Sequence, residues 1–173
     1  MTDWKYCPQC ATELALLVAE EDSGPVERLR CPVCGFTHWN NPVPVLAAIV
    51  EYRGQVLLAR NAAWPSKMFA LITGFMEAGE TPQEGIAREV KEETNLDVTA
   101  LDLVGVYDFQ RMNQVIIAFH VRAEGEVRLS PELVDWRLYD LPDLQRWPAG
   151  TGYAPADWPR PRGPEPACPT AAG

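Results

Sequence analysis

Four cysteines fall in two Cys-x2-Cys pairs, Cys7/Cys10 and Cys31/Cys34, within the first 40 residues of a 173-residue chain. That spacing restricts the N-terminal fold more tightly than any apolar pattern around it. A Cys-x2-Cys turn lets two sulfurs reach one ion, Zn²⁺ takes four ligands in a tetrahedron, and thiolates suit it. Gly35, just after the second pair, permits the tight turn such a knuckle needs. Two facing knuckles predict a closed, structural zinc site built from Cys7, Cys10, Cys31 and Cys34. Two disulfides, or a redox Cys-x-x-Cys, are the competing readings. Disulfides need an oxidising compartment, and the N-terminal stretch MTDWKYCPQC lacks the layout of a signal peptide. His38 is read as a structural residue, because four cysteines already satisfy the ion. Cys168 stands alone near the C-terminus as a bystander thiol.

The length suits one full domain plus a small module, and 47% hydrophobic residues allow a sizeable core. Apolar runs such as VLAAIV at 45–50 are too short to span a bilayer. The expectation is a soluble, cytoplasmic protein with no membrane partner. A net charge of -9 with scattered basic residues argues against a nucleic-acid partner. An acidic protein still binds a small phosphate ester if a divalent cation sits between the two.

Composition separates three regions: residues 1–40 with the cysteine pairs, 41–147 with apolar runs and turn signals, and a Pro-rich tail at 148–173. Disorder is expected from Pro155 onward. In the middle region VPVLAAIVEY reads as a strand, with Pro44 placing its start near a sheet edge. Gly54 marks a hairpin to QVLLAR at 55–60. FALIT at 69–73 is a short strand ending at Gly74. LDVTALDLVGVYDF holds one or two strands, and QVIIAFHV and VDWRLYDL one each, the last followed by a stop at Pro142. Strands, then a helix, then strands, without a repeating βα unit, indicate an α+β or mixed α/β fold with a mixed sheet. The six tryptophans, Trp4, Trp39, Trp64, Trp136, Trp147 and Trp158, are read as core or interface anchors.

The helix is predicted over 82–94. Thr81 and Glu84 have capping-box spacing, Pro82 falls at the first helical position, and Asn95 follows the last turn. Glu89, Glu92 and Glu93 then project within an arc of about 100°. Like charges so placed destabilise a helix, and Arg88 relieves only part of this. A solvated helix face is the plain reading. A site for Mg²⁺ or Mn²⁺, which bind through a few carboxylates and substrate phosphate oxygens, gives the charge a purpose.

Residues 74–96, GFMEAGETPQEGIAREVKEETNL, resemble the Nudix box G-x5-E-x7-R-E-U-x-E-E-x-G-U, where U is aliphatic. Gly74, Glu80, Arg88, Glu89, Val90, Glu92, Glu93 and Leu96 are in register, and Asn95 stands where the pattern has Gly. The resemblance implies a Nudix α/β/α sandwich around a mixed sheet, and hydrolysis of a nucleoside diphosphate linked to another moiety. It implies Glu89, Glu92 and Glu93 as metal ligands, Arg88 as the residue orienting them, and Glu80 as support for that network. The general base varies within the family. Glu93 is the first candidate and Glu132, in an expected loop, the second. The cysteine ribbon and ITGFMEAGE resemble the NADH pyrophosphatase branch. That branch carries an SQPWPFPxS array past the box where this chain has GVYDFQRMNQVII at 105–117. The missing array, the CPxC knuckles and NNPVPVLAAIVE support a resemblance to a zinc-ribbon group that includes an enzyme acting on FAD and ADP-ribose. Tyr107 and Phe109 are candidates to stack a ring of the substrate, and Arg111 to meet a phosphate. Relatives often form homodimers, so a homodimer is an expectation of the resemblance alone. The rival readings are a non-catalytic nucleotide-binding or regulatory protein on the same fold, and a nucleic-acid module built on the ribbon, for which Lys5, Arg28 and Arg30 are sparse.

Overall fold

The computed structural model describes residues 4–140, 144, 151 and 154–158. The chain divides into two compact units, Met1–Pro42 and Val43–Gly173.

The first unit is a three-stranded antiparallel sheet of β1 (Ala15–Glu21), β2 (Gly24–Arg30) and β3 (Thr37–His38). Glu21 ties the β1–β2 hairpin by accepting from Arg28 Nε at 2.7 Å and Arg30 Nη2 at 2.7 Å. Among the described residues its buried apolar cluster holds Cys7, Leu14 and Cys31, with Leu29 and Phe36 packed against it. A core this small does not offset the entropy of ordering the chain. The missing stabilisation lies in the four sulfurs. Cys7 and Cys34 are 3.5 Å apart, Cys10 and Cys31 3.4 Å, and Cys10 and Cys34 3.6 Å. A tetrahedron with Zn–S bonds of about 2.3 Å has edges of roughly 3.8 Å, so the set fits Zn²⁺ closely. The amides of Gln9 and Cys34 donate to the Cys7 and Cys31 sulfurs, as the backbone of a knuckle does around thiolates. Hydrogen bonds from Thr12 lower the Cys10 thiol to about 6. At Cys34 the hydrogen bond from the Phe36 amide lowers the thiol, but Cys7, burial and the other two thiols together outweigh it and push it up to about 12. Four adjacent thiolates need a cation among them. His38 stacks on Trp4 with ring centroids 5.1 Å apart, a packing role.

The second unit is a six-stranded mixed sheet. Its strands are β4 (Val43–Tyr52), β5 (Gln55–Asn61), β6 (Ile72–Phe75), β7 (Asp97–Phe109), β8 (Gln114–Glu124) and β9 (Leu133–Tyr139). The order is β7-β8-β4-β5-β9, with β6 also paired to β4. Only β4 and β8 run parallel; the other pairs are antiparallel. β4 is therefore the centre of the sheet and not near its edge as Pro44 suggested. Pro44 lies in the first turn of pleat, where its carbonyl still accepts the Met76 amide at 3.3 Å. β7 is one 13-residue strand, where the sequence allowed one or two, with register shifts at Val98/Ala100 and Leu103/Gly105. β6 begins three residues later than the apolar run and continues through Gly74 to Phe75.

Alternating residues of β4 feed two cores. Leu46, Ala48 and Val50 join Ile72, Phe119 and Val121 beneath α1 (Pro82–Thr94), whose Ile86 and Val90 are fully buried. Each such aliphatic side chain contributes about 1.5–3 kcal/mol. Val45, Ala47 and Ile49 face the opposite side with Leu58, Leu71 and Ile116, where α2 (Ala154–Asp157) packs through the buried Ala154. Residues 154–158 are thus structured and correct the expectation of disorder from Pro155 at that point. The rest of the tail, the stop at Pro142, Trp147 and Cys168 lie outside the described residues. No helix among the described residues is long and apolar enough to cross a membrane.

Chelation of the full chain is expected to release one zinc ion and to abolish amide-exchange protection in β1 and β2, while β4 and β8 stay protected. Retained protection in β1 after complete metal removal would contradict a metal-supported ribbon.

Candidate active site

Helix α1 starts and ends as its sequence dictates. Thr81 accepts from the Glu84 amide at 3.2 Å, the Glu84 carboxylate accepts from the Thr81 amide at 2.8 Å, and Asn95 closes the helix at φ 63°. Asn at this position serves as the box glycine would, since it tolerates the left-handed region. The cap fixes the rotation of α1, and with it the direction of every box side chain.

The helix lies very close to the sheet at two glycines. A β-carbon on Gly85 would come within 2.5 Å of Leu46 Cδ1 and of Glu80 Oε1. One on Gly74 would overlap the Glu89 carboxylate. Glu89 is consequently tucked over β6 and only 8% exposed. Burial pushes its carboxyl up, Arg88 pulls it down, and Glu92 and Glu93 push it further up. Glu92 and Glu93 add further carboxylate oxygens, hard donors of the type Mg²⁺ and Mn²⁺ take, but among the described residues only the four cysteines come close enough together to hold one ion.

Arg88 organises the surrounding acids. Its Nε and Nη2 donate to Glu80 Oε2 and Oε1 at 3.0 and 2.9 Å, a two-pronged contact. Nη1 donates to Glu89 Oε1 at 2.9 Å and Glu92 Oε2 at 3.2 Å, and Nη2 also reaches the Phe75 carbonyl at 3.2 Å. Glu80 additionally accepts the Glu77 amide at 2.7 Å. The Arg88 guanidinium, with that amide, holds the Glu80 carboxyl below its usual range. Arg88 itself is raised by the same partner.

Glu93 stands apart from this network. It meets the Ser130 hydroxyl at 2.9 Å and lines a small open cleft of ≈ 70 Å³ with Asn61, Trp64, Thr73, Glu132 and Leu133 among its walls. The cleft exists because β5 and β6 share one edge of β4. β5 pairs with Val50–Tyr52 and β6 with Val45–Ala48, so the two strands fork. Glu132 therefore shares a cleft with Glu93. Trp64, read from sequence as an anchor, is a cleft wall. Asn61, Thr73 and Ser130 carried no sequence signal, because the fork that collects them depends on strand pairing.

The structure does not place Tyr107 and Phe109 in that cleft. They pack with the core on the face opposite α1, and the Tyr107 hydroxyl donates to Asp157 Oδ2 at 3.1 Å. Arg111 is exposed in the 3₁₀ turn of residues Gln110–Met112 between β7 and β8.

Gly74→Ala is expected to displace Glu89 and weaken Mn²⁺ binding roughly tenfold or more, read by electron paramagnetic resonance of the free ion. Because the Glu80 carboxyl is lowered in the fold, its stabilisation is present above the ordinary carboxylate range and lost as pH falls through the lowered value. Melting midpoints of wild type and Glu80→Gln are accordingly expected to differ at neutral pH and to converge in acid. A constant gap would refute the link.

A family model of the NUDIX domain matches residues 40–157, and a Nudix N-terminal model matches residues 5–40. Curated relatives include a protein named NAD-capped RNA hydrolase NudC from Pseudomonas aeruginosa, 28% identical over 152 residues, covering 87% of this chain and 52% of the relative. A protein of the same name from Vibrio atlanticus is 31% identical over 153 residues, covering 85% and 54%. The chain thus spans about half the length of the curated relatives it matches. A crystal structure of a NUDIX hydrolase from Nitrosomonas europaea superposes with a TM-score of 0.71 at 33% identity, covering 82% of this chain and 80% of that one. A matched domain over most of the chain, a matched ribbon ahead of it and the box residues in place on α1 make this protein a member of the Nudix hydrolase family, in its zinc-ribbon-containing branch.

Proposed function

We propose that this chain hydrolyses the diphosphate bridge of a nucleotide joined to a second moiety: a dinucleotide such as NADH or FAD, or ADP-ribose. The observation that carries this reading is the position of Glu93, which ends a helix of box carboxylates and at the same time lines the cleft at the β5–β6 fork. The curated relatives are named for an NAD-capped substrate, which favours the dinucleotide end of this range.

Glu89, Glu92 and Glu93 would hold Mg²⁺ or Mn²⁺. When bound, such a cation offsets the charge of the diphosphate and acidifies coordinated water. Arg88 holds Glu89 and Glu92 in place through Nη1 and is braced by Glu80. Glu93 is the first candidate to take the proton from the attacking water. The water oxygen bonds to phosphorus, the bridging P–O bond breaks, and its electron pair leaves with the second phosphate. Glu132, which lines the same cleft, is the second candidate base. Tyr107 and Phe109, packed against the core on the face opposite α1, and the exposed Arg111 would meet a long substrate only outside the Glu93 cleft. Four thiol ligands suit a reducing compartment, which supports a cytoplasmic location.

A panel of NADH, NAD, FAD, ADP-ribose and NAD-capped RNA, assayed with Mg²⁺ and with Mn²⁺, tests the reading. Turnover of at least one dinucleotide is expected, lowered by roughly a hundredfold or more in Glu93→Gln. Binding without turnover of any member would favour a non-catalytic nucleotide-binding or regulatory protein. Preference for the capped RNA would extend the partners beyond the small nucleotides that a net charge of -9 favours.

A further inference from the structure

A carboxylate at the C-terminal end of a helix is poorly placed. It faces the negative end of the helix dipole, and the last carbonyls there need donors. Glu93 is the next-to-last residue of α1. Arg88 donates to Glu80, Glu89 and Glu92, and what fastens Glu93 is of a different kind.

One loop, residues 125–132, meets this helix end. The Arg128 amide donates to the Thr94 carbonyl at 2.9 Å, and the Ser130 amide to the Glu93 carbonyl at 3.1 Å. The Ser130 hydroxyl donates to Glu93 Oε2 at 2.9 Å. Ser130 thus grips main chain and side chain of the same residue. The loop is itself anchored at both ends. Tyr52 donates to the Gly125 carbonyl at 2.8 Å and Asn95 Nδ2 to the Glu126 carbonyl at 3.0 Å. Beyond Ser130, the Leu133 amide donates to the Ser130 carbonyl at 3.2 Å, and the Ala62 amide to the Glu132 carbonyl at 2.9 Å.

We propose that Ser130 is a positioning residue for Glu93, holding its carboxylate toward the cleft by engaging Oε2 and leaving Oε1 for a divalent cation or a water proton. This rests on the hydrolase reading. The donor type matters. A hydroxyl orients a carboxylate without neutralising it, whereas a lysine or arginine there would compete with the cation for its charge. The same turn sets Glu132 on the cleft wall, so both candidate bases take their placement from one loop.

The test compares full-length wild type with Ser130→Ala and Ser130→Thr, reading Mn²⁺ affinity by electron paramagnetic resonance, kcat and KM on the best panel substrate, and the melting midpoint. Ser130→Ala is expected to weaken Mn²⁺ binding and to lower kcat by roughly tenfold each, with KM for the nucleotide changed by less than about twofold. Ser130→Thr, which keeps the hydroxyl, is expected to recover most of both losses. If the alanine variant does not fold, Ser130→Cys, of similar volume and a weak donor, gives the same contrast with threonine. A folded alanine or cysteine variant with wild-type Mn²⁺ affinity and kcat would overturn the proposal, as would a folded threonine variant as impaired as alanine. If wild type turns over no panel member, the hydrolase reading fails, and the Mn²⁺ titration alone still decides the role of Ser130.

Discussion

One guanidinium holds the acidic turn of α1 together. Glu80, Glu89 and Glu92 all hydrogen-bond to Arg88, and the Phe75 carbonyl completes its donors. Without that planar fork, three carboxylates around one helix face would repel each other and swing into water. Lysine could not substitute for it, because a point charge cannot satisfy two prongs of Glu80 and still reach Glu89 and Glu92. The arrangement also keeps the loop before α1 in place, since Glu80 grips both Arg88 and the Glu77 amide.

The position of that turn relative to the cleft comes from the sheet. β4 supplies one edge to two strands, β5 near its end and β6 near its start. The fork between them is where α1 can lay Glu89 over β6 and Glu93 beside Trp64 and Glu132. Gly74 and Gly85 make the approach possible, because a side chain at Gly74 would overlap the Glu89 carboxylate and one at Gly85 would meet Leu46 of the sheet and Glu80 of the preceding loop. Small residues here are a packing requirement that doubles as a requirement on the proposed chemistry.

The two units use charge in different ways. In the ribbon, four sulfurs stand in for a hydrophobic core that the short chain lacks, and the set closes on itself with no room for a reacting group. On α1 Glu93 lines an open cleft, and its carboxylate is kept in place by a neutral hydroxyl from a separate loop. The first arrangement suits a metal that supports folding, the second a cation that shares its coordination with a substrate.

Much of this was readable in the chain. The cap at Thr81, the stop at Asn95, the register of the box glutamates and the cysteine knuckles depend on neighbours within a few residues, so local chemistry decided them. The extent of α1 follows from those signals. Other features depended on pairings across the molecule. Pro44 looked like an edge residue and lies in the central strand. Tyr107 and Phe109 looked available to a substrate, and the sheet turned them onto the face covered by α2. Trp64, Asn61, Thr73 and Ser130 are separated by up to 69 positions, and only the fork in the sheet and the return of the 125–132 loop to the end of α1 bring them beside Glu93. The sequence by itself determined which groups are acidic, where the helix begins and ends, and where the two cysteine knuckles turn, because those are short-range matters. The tertiary structure decided what those groups face, because strand pairing and loop closure place residues that no spacing in the chain relates.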